Sequence, residues 1–118
     1  MDDNRPNLDA LLGQELVALH VASNQIELIF SDGSGDNDEI CLYGDFATHS
    51  ADGGRLEWSV PRGADALTAC LDRRVTQARY DASRNIELQF EGGQAVTISD
   101  EPNVPWLEIV RIGEWPPK

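Results

Sequence analysis

Large apolar residues alternate with other residues in a five-residue stretch that occurs twice in the chain. The first copy, residues 26–30, reads Ile-Glu-Leu-Ile-Phe, and the second, residues 86–90, reads Ile-Glu-Leu-Gln-Phe. A period of two residues predicts a β-strand with one buried face. The side chains expected in the core are those at the first, third and fifth positions: Ile26, Leu28, Phe30, Ile86, Leu88 and Phe90.

Similar patterns predict the other elements of both halves. Leu8, Leu11 and Leu12 fall on one face of a short helix, and a second short helix is expected at residues 64–71. Residues 44–46 are expected to leave the sheet. Strands are predicted at residues 15–22, 25–30, 39–43, 55–60, 74–81, 85–90, 94–99 and 106–112.

The repeat extends beyond the core strand. Residues 8–30 align with residues 67–90 when one residue is inserted at the turn. Each half is then a short helix, a three-stranded antiparallel meander and a fourth strand. A half of about 55 residues is too small to bury a good core alone, so the halves, about 8–60 and 64–112, are expected to pack through a pseudo-two-fold axis. The prediction is one mainly-β domain over residues 1–118, a β-sandwich or partly closed barrel with two short helices.

Length and hydropathy limit the class of protein. The chain of 118 residues has the size of one domain, and hydrophobic residues make up 41% of it, which is enough for a core. No apolar run approaches the roughly 18 residues that cross a bilayer. Residues 1–6 lack the basic-then-apolar order of a signal peptide. The expected location is therefore the cytoplasm.

The formal net charge of −12 comes from 21 acidic and 9 basic side chains. Such a charge repels phosphate backbones and anionic lipid surfaces, so neither nucleic acid nor a membrane is an expected partner. A basic protein is a permitted partner, and electrostatic steering would accelerate its association. The alternative is that the charge only keeps a small protein soluble.

Short strand and turn motifs follow one another in the same order in both halves. The residues that carry this order are Leu11-Leu12-Gly13, 26–30, Asp32-Gly33, Asp52-Gly53, 86–90 and Trp106. The order resembles a family of small, mostly actinobacterial proteins of unknown function built from two tandem helix-plus-β-meander repeats. The second half departs from that pattern, with Leu71-Asp72 in place of the helix-ending glycine and Glu91-Gly92 in place of Asp-Gly. The resemblance implies the fold and assigns no catalytic residue.

The cysteines and histidines show no spacing typical of a metal or catalytic site. Cys41 and Cys70 do not form a CxxC pair, and neither His20 nor His49 is joined to them in a metal-binding pattern. The sequence also lacks GxSxG, GxGxxG and phosphate-loop motifs. No catalytic residue, metal or cofactor is therefore predicted, and the two thiols are expected to be reduced and partly buried.

Oxygen-bearing side chains alternate in the predicted loop before the third strand. They are Asp32, Ser34, Asp36 and Asp38, and their spacing is that of ligands in a calcium loop. Asn37 occupies the sixth position, where the sharp turn requires glycine, and Tyr43 the twelfth, where a bidentate glutamate belongs. A solvated hairpin loop is therefore the favoured interpretation.

The three tryptophans are the remaining residues that indicate either a core position or a protein interface. Trp58 and Trp106 occur late in their respective halves and are expected to pack in equivalent core positions. Trp115 is followed by two prolines and is harder to bury, which suits a protein interface, where Trp is enriched at hot spots. The alternative is that it covers a sheet edge.

The leading functional hypothesis is a non-enzymatic acidic module that binds and neutralises a basic protein, and in this it resembles small acidic bacterial immunity proteins. The alternative is a small-molecule-binding β-barrel or an enzyme with a site between the two repeats, with His20 and Arg79 as candidate polar groups. A third is a homodimeric structural module, and the expected state is a monomer or homodimer. The candidate partner-binding residues are Asp32, Asp36, Asp38, Glu39, Tyr43, Asp45 and Trp115.

Overall fold

A computed structural model of the chain describes residues 8–34 and 37–99 and the backbone of residues 108–110. Within these residues the 3-10 helix Leu8–Leu11 precedes the first strand, and α1 (Ala64–Leu67) continues into the 3-10 helix Thr68–Cys70. The strands are β1 (Glu15–Ala22), β2 (Gln25–Ser31), β3 (Asn37–Leu42), β4 (Asp45–His49), β5 (Arg55–Ser59), β6 (Val75–Tyr80), β7 (Ile86–Phe90), β8 (Ala95–Ile98) and β9 (Glu108–Val110).

The described strands form two antiparallel sheets. The four-stranded sheet has the order β1-β2-β3-β9, and the five-stranded sheet has the order β5-β4-β8-β7-β6. The prediction of a mainly-β fold is confirmed, and the two sheets are compatible with a β-sandwich. Among the described residues no helix has the length and apolarity needed to cross a membrane.

Buried side chains from both sheets form one hydrophobic core. The six side chains expected to be buried in the two repeated strands are all at most 3% exposed. Ile40 and Leu42 of β3 join them from one sheet, and Phe46, Val96 and Ile98 join them from the other. Full burial of one such side chain contributes about 1.5–3 kcal/mol, so this cluster holds the two sheets against each other.

The fourth strand of each half pairs with the other half. β4 follows the meander β1–β3 in sequence, yet it pairs with β8, where Phe46 lies opposite Ile98. β9 follows the meander β6–β8, yet it pairs with β3, where Ile40 lies opposite Ile109. Each sheet is therefore built from both halves of the chain.

The two sheets also meet at one corner, where β1 and β6 begin. Gly13 N donates a hydrogen bond to Val75 O at 2.9 Å, and Val75 N donates to Gln14 O at 2.8 Å. Each strand has a register irregularity close to this point, after Leu16 in β1 and after Val75 in β6. A bulge bends a strand and increases its twist, which allows the strands to turn at the corner.

The prediction that residues 44–46 leave the sheet is wrong, because Asp45 begins β4. The pattern there is weak: Phe46 is the one large apolar side chain that β4 directs into the core, and its other inward residue is Thr48. The strand predicted at 55–60 exists as β5, but it pairs with β4 in the five-stranded sheet. Of the strand predicted at 106–112, residues 108–110 are described.

The helix predictions are only partly correct. The first element is a 3-10 helix, and the second is a single α-helical turn followed by a 3-10 turn. Residues three apart lie above one another in a 3-10 helix. Leu8 and Leu11 are therefore buried together, whereas Leu12 is 47% exposed and does not share their face as predicted.

Candidate functional site

Negative charge is concentrated in the first half of the chain. Residues 6–54 contain nine Asp and Glu and no Lys or Arg, whereas residues 55–99 contain six acidic side chains and six Arg. The strands β1, β2 and β3 therefore carry acidic side chains and no Lys or Arg. A surface with one sign of charge produces a field that attracts ions and partners of the opposite sign.

Glu27, Glu39 and Cys41 form a cluster on the outer face of the four-stranded sheet. Their carboxylate oxygens and thiol sulfur all lie within 4.8 Å of one another. Cys41 Sγ donates a hydrogen bond to Glu27 Oε2 at 3.7 Å. His20 Nδ1 lies 3.4 Å from the other oxygen of the same carboxylate, Glu27 Oε1. The arrangement joins two carboxylates, a thiol and an imidazole, which are all metal-ligating groups.

The pairing of three adjacent strands places these groups on one face. His20 of β1 lies opposite Glu27 of β2, which in turn lies opposite Cys41 of β3. Directly opposed residues of antiparallel strands point to the same side of the sheet, and so do residues two apart on one strand, such as Glu39 and Cys41. The face is the one opposite the core, because the core residues of β3 alternate with these two.

This cluster was missed in the sequence because its members come from separate strands. Glu27 and Cys41 are 14 residues apart and fit no metal-binding motif. A short β2–β3 hairpin would have revealed the cluster. When Ser31 pairs with Asn37, the register of the two strands places Glu27 directly opposite Cys41. The predicted loop extended to residue 38 and hid that register.

The predicted partner-binding residues in and near the β2–β3 turn do not share one surface. Asp32 is exposed and accepts a hydrogen bond from Ser34 N at 2.8 Å. Glu39 belongs to the cluster on the outer face. Asp38 precedes Glu39 on β3, so its side chain points to the opposite face of the sheet. There Asp38 Oδ2 accepts a hydrogen bond from Nε2 of the buried Gln14 at 2.6 Å. The two described aspartates of the suggested calcium loop are thus each engaged within the protein.

The remaining predicted partner-binding residues lie elsewhere. Tyr43 is half-buried between β3 and β4. Asp45 is exposed at the start of β4 in the other sheet, where it accepts a hydrogen bond from Ser59 Oγ at 2.6 Å. Asp36 and Trp115 lie outside the described residues. The seven residues together therefore do not define one described surface.

A groove with a volume of about 240 Å³ lies across the outer face of the five-stranded sheet. Ala47 of β4 is directly opposite Glu57 of β5 on one side and Thr97 of β8 on the other. Because the alanine is small and its neighbours are longer, a depression forms between them. The other lining residues include Asp45, Arg55, Ser59, Asn85 and Ser99. The groove is polar and is bounded by strands from both halves.

His20 and Arg79, the polar groups suggested for a site between the repeats, are not brought together. His20 lies beside Glu27 on the four-stranded sheet. Arg79 lies on the five-stranded sheet, where its Nε donates to Glu87 Oε1 at 2.8 Å. His49 Nε2 is 3.0 Å from Thr97 Oγ1, next to the groove. His49 is therefore the histidine closest to a described depression.

The two cysteines occupy different environments, and neither is in a disulfide. Cys70 is part of the core, and this burial raises the pKa of its thiol to about 11. Its sulfur therefore stays protonated at neutral pH. Cys41 is 3% exposed but lies on the outer face, beside the Glu27 carboxylate. Of the two thiols, only Cys41 belongs to a group of three metal-ligating side chains among the described residues.

Trp58 lies at the margin of the core. It is half-buried, packs against the core cluster, and its Nε1 donates to Thr48 Oγ1 at 3.0 Å on the neighbouring strand. This agrees with the prediction that Trp58 packs against the core. Trp106 lies outside the described residues, so its equivalence to Trp58 stays a prediction.

Comparison with known proteins adds no assignment. No protein-family model, no curated protein and no solved structure gives a significant match to the chain.

Proposed function

We propose that this protein is a small acidic binding module that docks a basic protein, in the way that immunity proteins of bacterial toxin systems neutralise their targets. The observation that carries the proposal is the asymmetry of charge. Residues 6–54 carry nine acidic side chains without a Lys or Arg, while residues 55–99 are balanced. A basic partner is therefore attracted more strongly to residues 6–54 than to residues 55–99.

The exposed acidic residues of the first half supply this attraction. Asp32 and Asp45 are both exposed and are among the residues predicted to contact the partner. They lie on different parts of the surface, so they act mainly through the long-range field. Such steering raises association rates and is screened by salt over a Debye length of about 8 Å at physiological ionic strength.

The test compares two pairs of substitutions that change the net charge equally. Asp32→Asn with Asp45→Asn removes two charges from the acidic residues 6–54, and Asp65→Asn with Asp72→Asn removes two from residues 55–99, where acidic and basic side chains are equal in number. All four residues are exposed. The wild-type protein is immobilised, and a lysate of the source cells is passed over it at low and high salt. A basic protein is expected to bind at low salt and to be released at high salt.

Association rates of the captured protein then decide the proposal. The first pair is expected to slow association roughly 3–10-fold at low salt, and the second pair much less. Equal effects of the two pairs, or capture that is insensitive to salt, would contradict the acidic-half proposal.

We also propose that the two halves are related by a pseudo-two-fold axis and form a partly closed barrel. Support comes from the reciprocal exchange of β4 and β9 between sheets and from the matching irregularities after Leu16 and Val75. Isolated bridges between β1 and the start of the second half, such as Leu16 with Leu71, support closure at that corner. Superposition of the two meanders by a rotation near 180° is the expected result.

A second candidate function is binding of a small polar molecule in the groove around Ala47. The groove is bounded by both halves and contains Arg55 and Glu57, whose side chains are 3.4 Å apart. Its volume of about 240 Å³ is below the roughly 300–1,000 Å³ of sites for drug-sized ligands. The ligand class is therefore a small polar metabolite.

Filling the groove tests this second function. Ala47→Leu places a larger side chain between Glu57 and Thr97, and Ala95→Leu makes the same change on the same sheet face outside the groove lining. A polar metabolite that raises the melting temperature of the wild type and of Ala95→Leu, but not of Ala47→Leu, is the expected result. A ligand shift that survives in Ala47→Leu would contradict it.

We further propose that the protein works in the cytoplasm as a monomer or homodimer. Cys41 and Cys70 are both buried thiols, and proteins of a reducing compartment usually keep their cysteines in this form. β1 and β5 are edge strands of the described sheets, and an edge strand offers unpaired backbone groups to a second copy. Light scattering at several protein concentrations distinguishes the two states.

A further inference from the structure

The Glu27–Glu39–Cys41 cluster has the composition of a metal site, and its ligand atoms are nearly as close together as those around one ion. Zinc–ligand bonds of about 2.0–2.3 Å place tetrahedral ligands roughly 3.3–3.8 Å apart. Cys41 Sγ and Glu27 Oε2 are already 3.7 Å apart. The three ligand atoms lie within 4.8 Å of one another, so side-chain rotations of about an ångström bring them onto one ion. We infer that these three side chains bind a divalent transition-metal ion of the zinc class.

The backbone under the cluster is fixed by the strand pairing. Glu27 lies on β2, which has a strand on each side, and Cys41 lies directly opposite it on β3. Cys41 is 3% exposed and the neighbouring Ile29 is 8% exposed, so this part of the outer face is largely shielded from water. Ligands on paired strands in a shielded position need little reorganisation to hold an ion.

The donor set selects the class of metal. Ca²⁺ and Mg²⁺ prefer all-oxygen sites, whereas a thiolate favours zinc and related ions. Two carboxylates and one thiolate supply three protein ligands, and a water molecule completes the tetrahedron. His20 Nδ1, 3.4 Å from Glu27 Oε1, is a positioning residue that orients this carboxylate.

The charges of the surroundings favour a cation. Glu27 and Glu39 bring two carboxylates together, and β1, β2 and β3 contain no Lys or Arg. On binding, the Cys41 thiol loses its proton to solvent and the sulfur forms a bond to the metal, so one proton is released per ion. The weak hydrogen bond from the Cys41 thiol to Glu27 is then replaced by two bonds to the metal ion, one from the Cys41 sulfur and one from the Glu27 carboxylate.

Cobalt(II) titration of the metal-free full chain tests the inference, because a thiolate bound to Co²⁺ gives a charge-transfer band in the near ultraviolet. The wild type is expected to show this band at one Co²⁺ per chain, and Zn²⁺ should displace it. Cys41→Ala should abolish the band. Cys70→Ala is the matched control, since Cys70 lies in the core away from the outer face, and it should keep the band.

A second pair of variants covers the case in which Cys41→Ala does not fold, which circular dichroism would reveal. Glu39→Gln removes a ligand charge at a half-buried position, and Glu87→Gln removes a charge at a half-buried position on the other sheet. Zinc affinity, measured by competition with a chromophoric chelator, should fall at least about tenfold for Glu39→Gln and stay unchanged for Glu87→Gln.

A wild type without a thiolate–cobalt band, a band that persists in folded Cys41→Ala, or equal affinities of Glu39→Gln and Glu87→Gln would each overturn the site. Partner binding is a separate property. Asp32→Asn with Asp45→Asn leaves all three ligands in place, so loss of partner binding and loss of metal binding can be told apart.

Discussion

At the scale of single residues, hydrogen bonding within turns lowers the pKa of two exposed aspartates. The Ser50 hydroxyl donates to Asp52, and Gly54 N donates to the same carboxylate at 3.1 Å. Ser34 has the corresponding role for Asp32. In both cases the serine side chain is the largest cause of a pKa below the ordinary value of 3.8. Hydrogen bonds to the charged form stabilise that form, so both residues contribute fixed negative charge.

We predict that Ser50→Ala raises the pKa of Asp52 towards 3.8 because the largest stabilising hydrogen bond is lost. The pKa of Asp32 should not change, and Ser34→Ala should have the converse effect. Carbon-detected NMR titration of both carboxyls in each variant measures this. Since the folded-state pKa is the lower one, the turn's contribution to stability is present above the unfolded pKa and is lost as the pH falls through the folded one. If the pKa of each aspartate were the same in the wild type and in the variant that lacks its serine, these hydrogen bonds would not be the cause of the lowered pKa.

At the scale of elements, the position of α1 depends on a glycine that contacts two strands. Gly63 precedes α1 with φ at +92°, a conformation that side chains rarely adopt. A Cβ atom there would meet the Trp58 ring and lie 2.7 Å from Phe46 Cζ. The helix is thus packed directly against β4 and β5 at the edge of the core.

Gly63→Ala is therefore expected to be more destabilising than Gly53→Ala. Gly53 has a similar φ of +95°, but nothing lies within 4 Å of its Cβ position. Gly53→Ala should cost about 1–2 kcal/mol from the left-handed backbone alone. Gly63→Ala should cost roughly 1–3 kcal/mol more because of overpacking. Urea denaturation of the two variants measures the difference, and equal values would mean that Trp58 and Phe46 can move aside.

Strand positions could largely be read from the sequence, but their partners could not. β1 was predicted at its observed bounds, although a bulge after Leu16 breaks the alternation of its inward side chains. β7 was predicted within one residue, because its inward apolar side chains recur at every second position. Alternation decides which face of a strand is buried and says nothing of its neighbour. The pairing of β4 with β8 joins residues about fifty positions apart, such as Phe46 and Ile98, and has no local signature.

The candidate site was harder to predict than the fold for the same reason. Acidic character could be predicted from composition, and the exposure of Asp32 and Asp45 agrees with it. The metal-ligating cluster depends on the register of one hairpin, and a shift of a single residue would turn Cys41 towards the core. Asp38 was assigned to the surface, but it bonds to the buried Gln14, a contact between residues 24 positions apart.

At the scale of the whole molecule, neither half of the chain forms a complete sheet by itself. The four-stranded sheet receives β9 from the second half, and the five-stranded sheet receives β4 and β5 from the first. The core residues of both sheets form one cluster. Unfolding of one half therefore removes strand partners and buried surface from the other, and the chain should unfold as one cooperative unit.

Fragments 1–62 and 63–118 are accordingly predicted to be unfolded when separate and to fold when mixed. Each alone lacks the partner of its fourth strand and is too short to bury a good core. Circular dichroism of the single fragments and of an equimolar mixture measures the gain in strand content. Cooperative thermal unfolding of either fragment alone would contradict the prediction.

The pairing of β3 with β9 also has a consequence for biosynthesis. β3 ends at residue 42 and β9 begins at residue 108. At about 5–20 residues per second, the ribosome needs roughly 3–13 s to synthesise the intervening chain. During that interval the newly made β3, with Ile40 and Leu42, has no outer neighbour. The nascent protein therefore passes through a period in which an apolar strand edge can pair with other chains, and fast translation or chaperone binding over this stretch should increase the yield of folded protein.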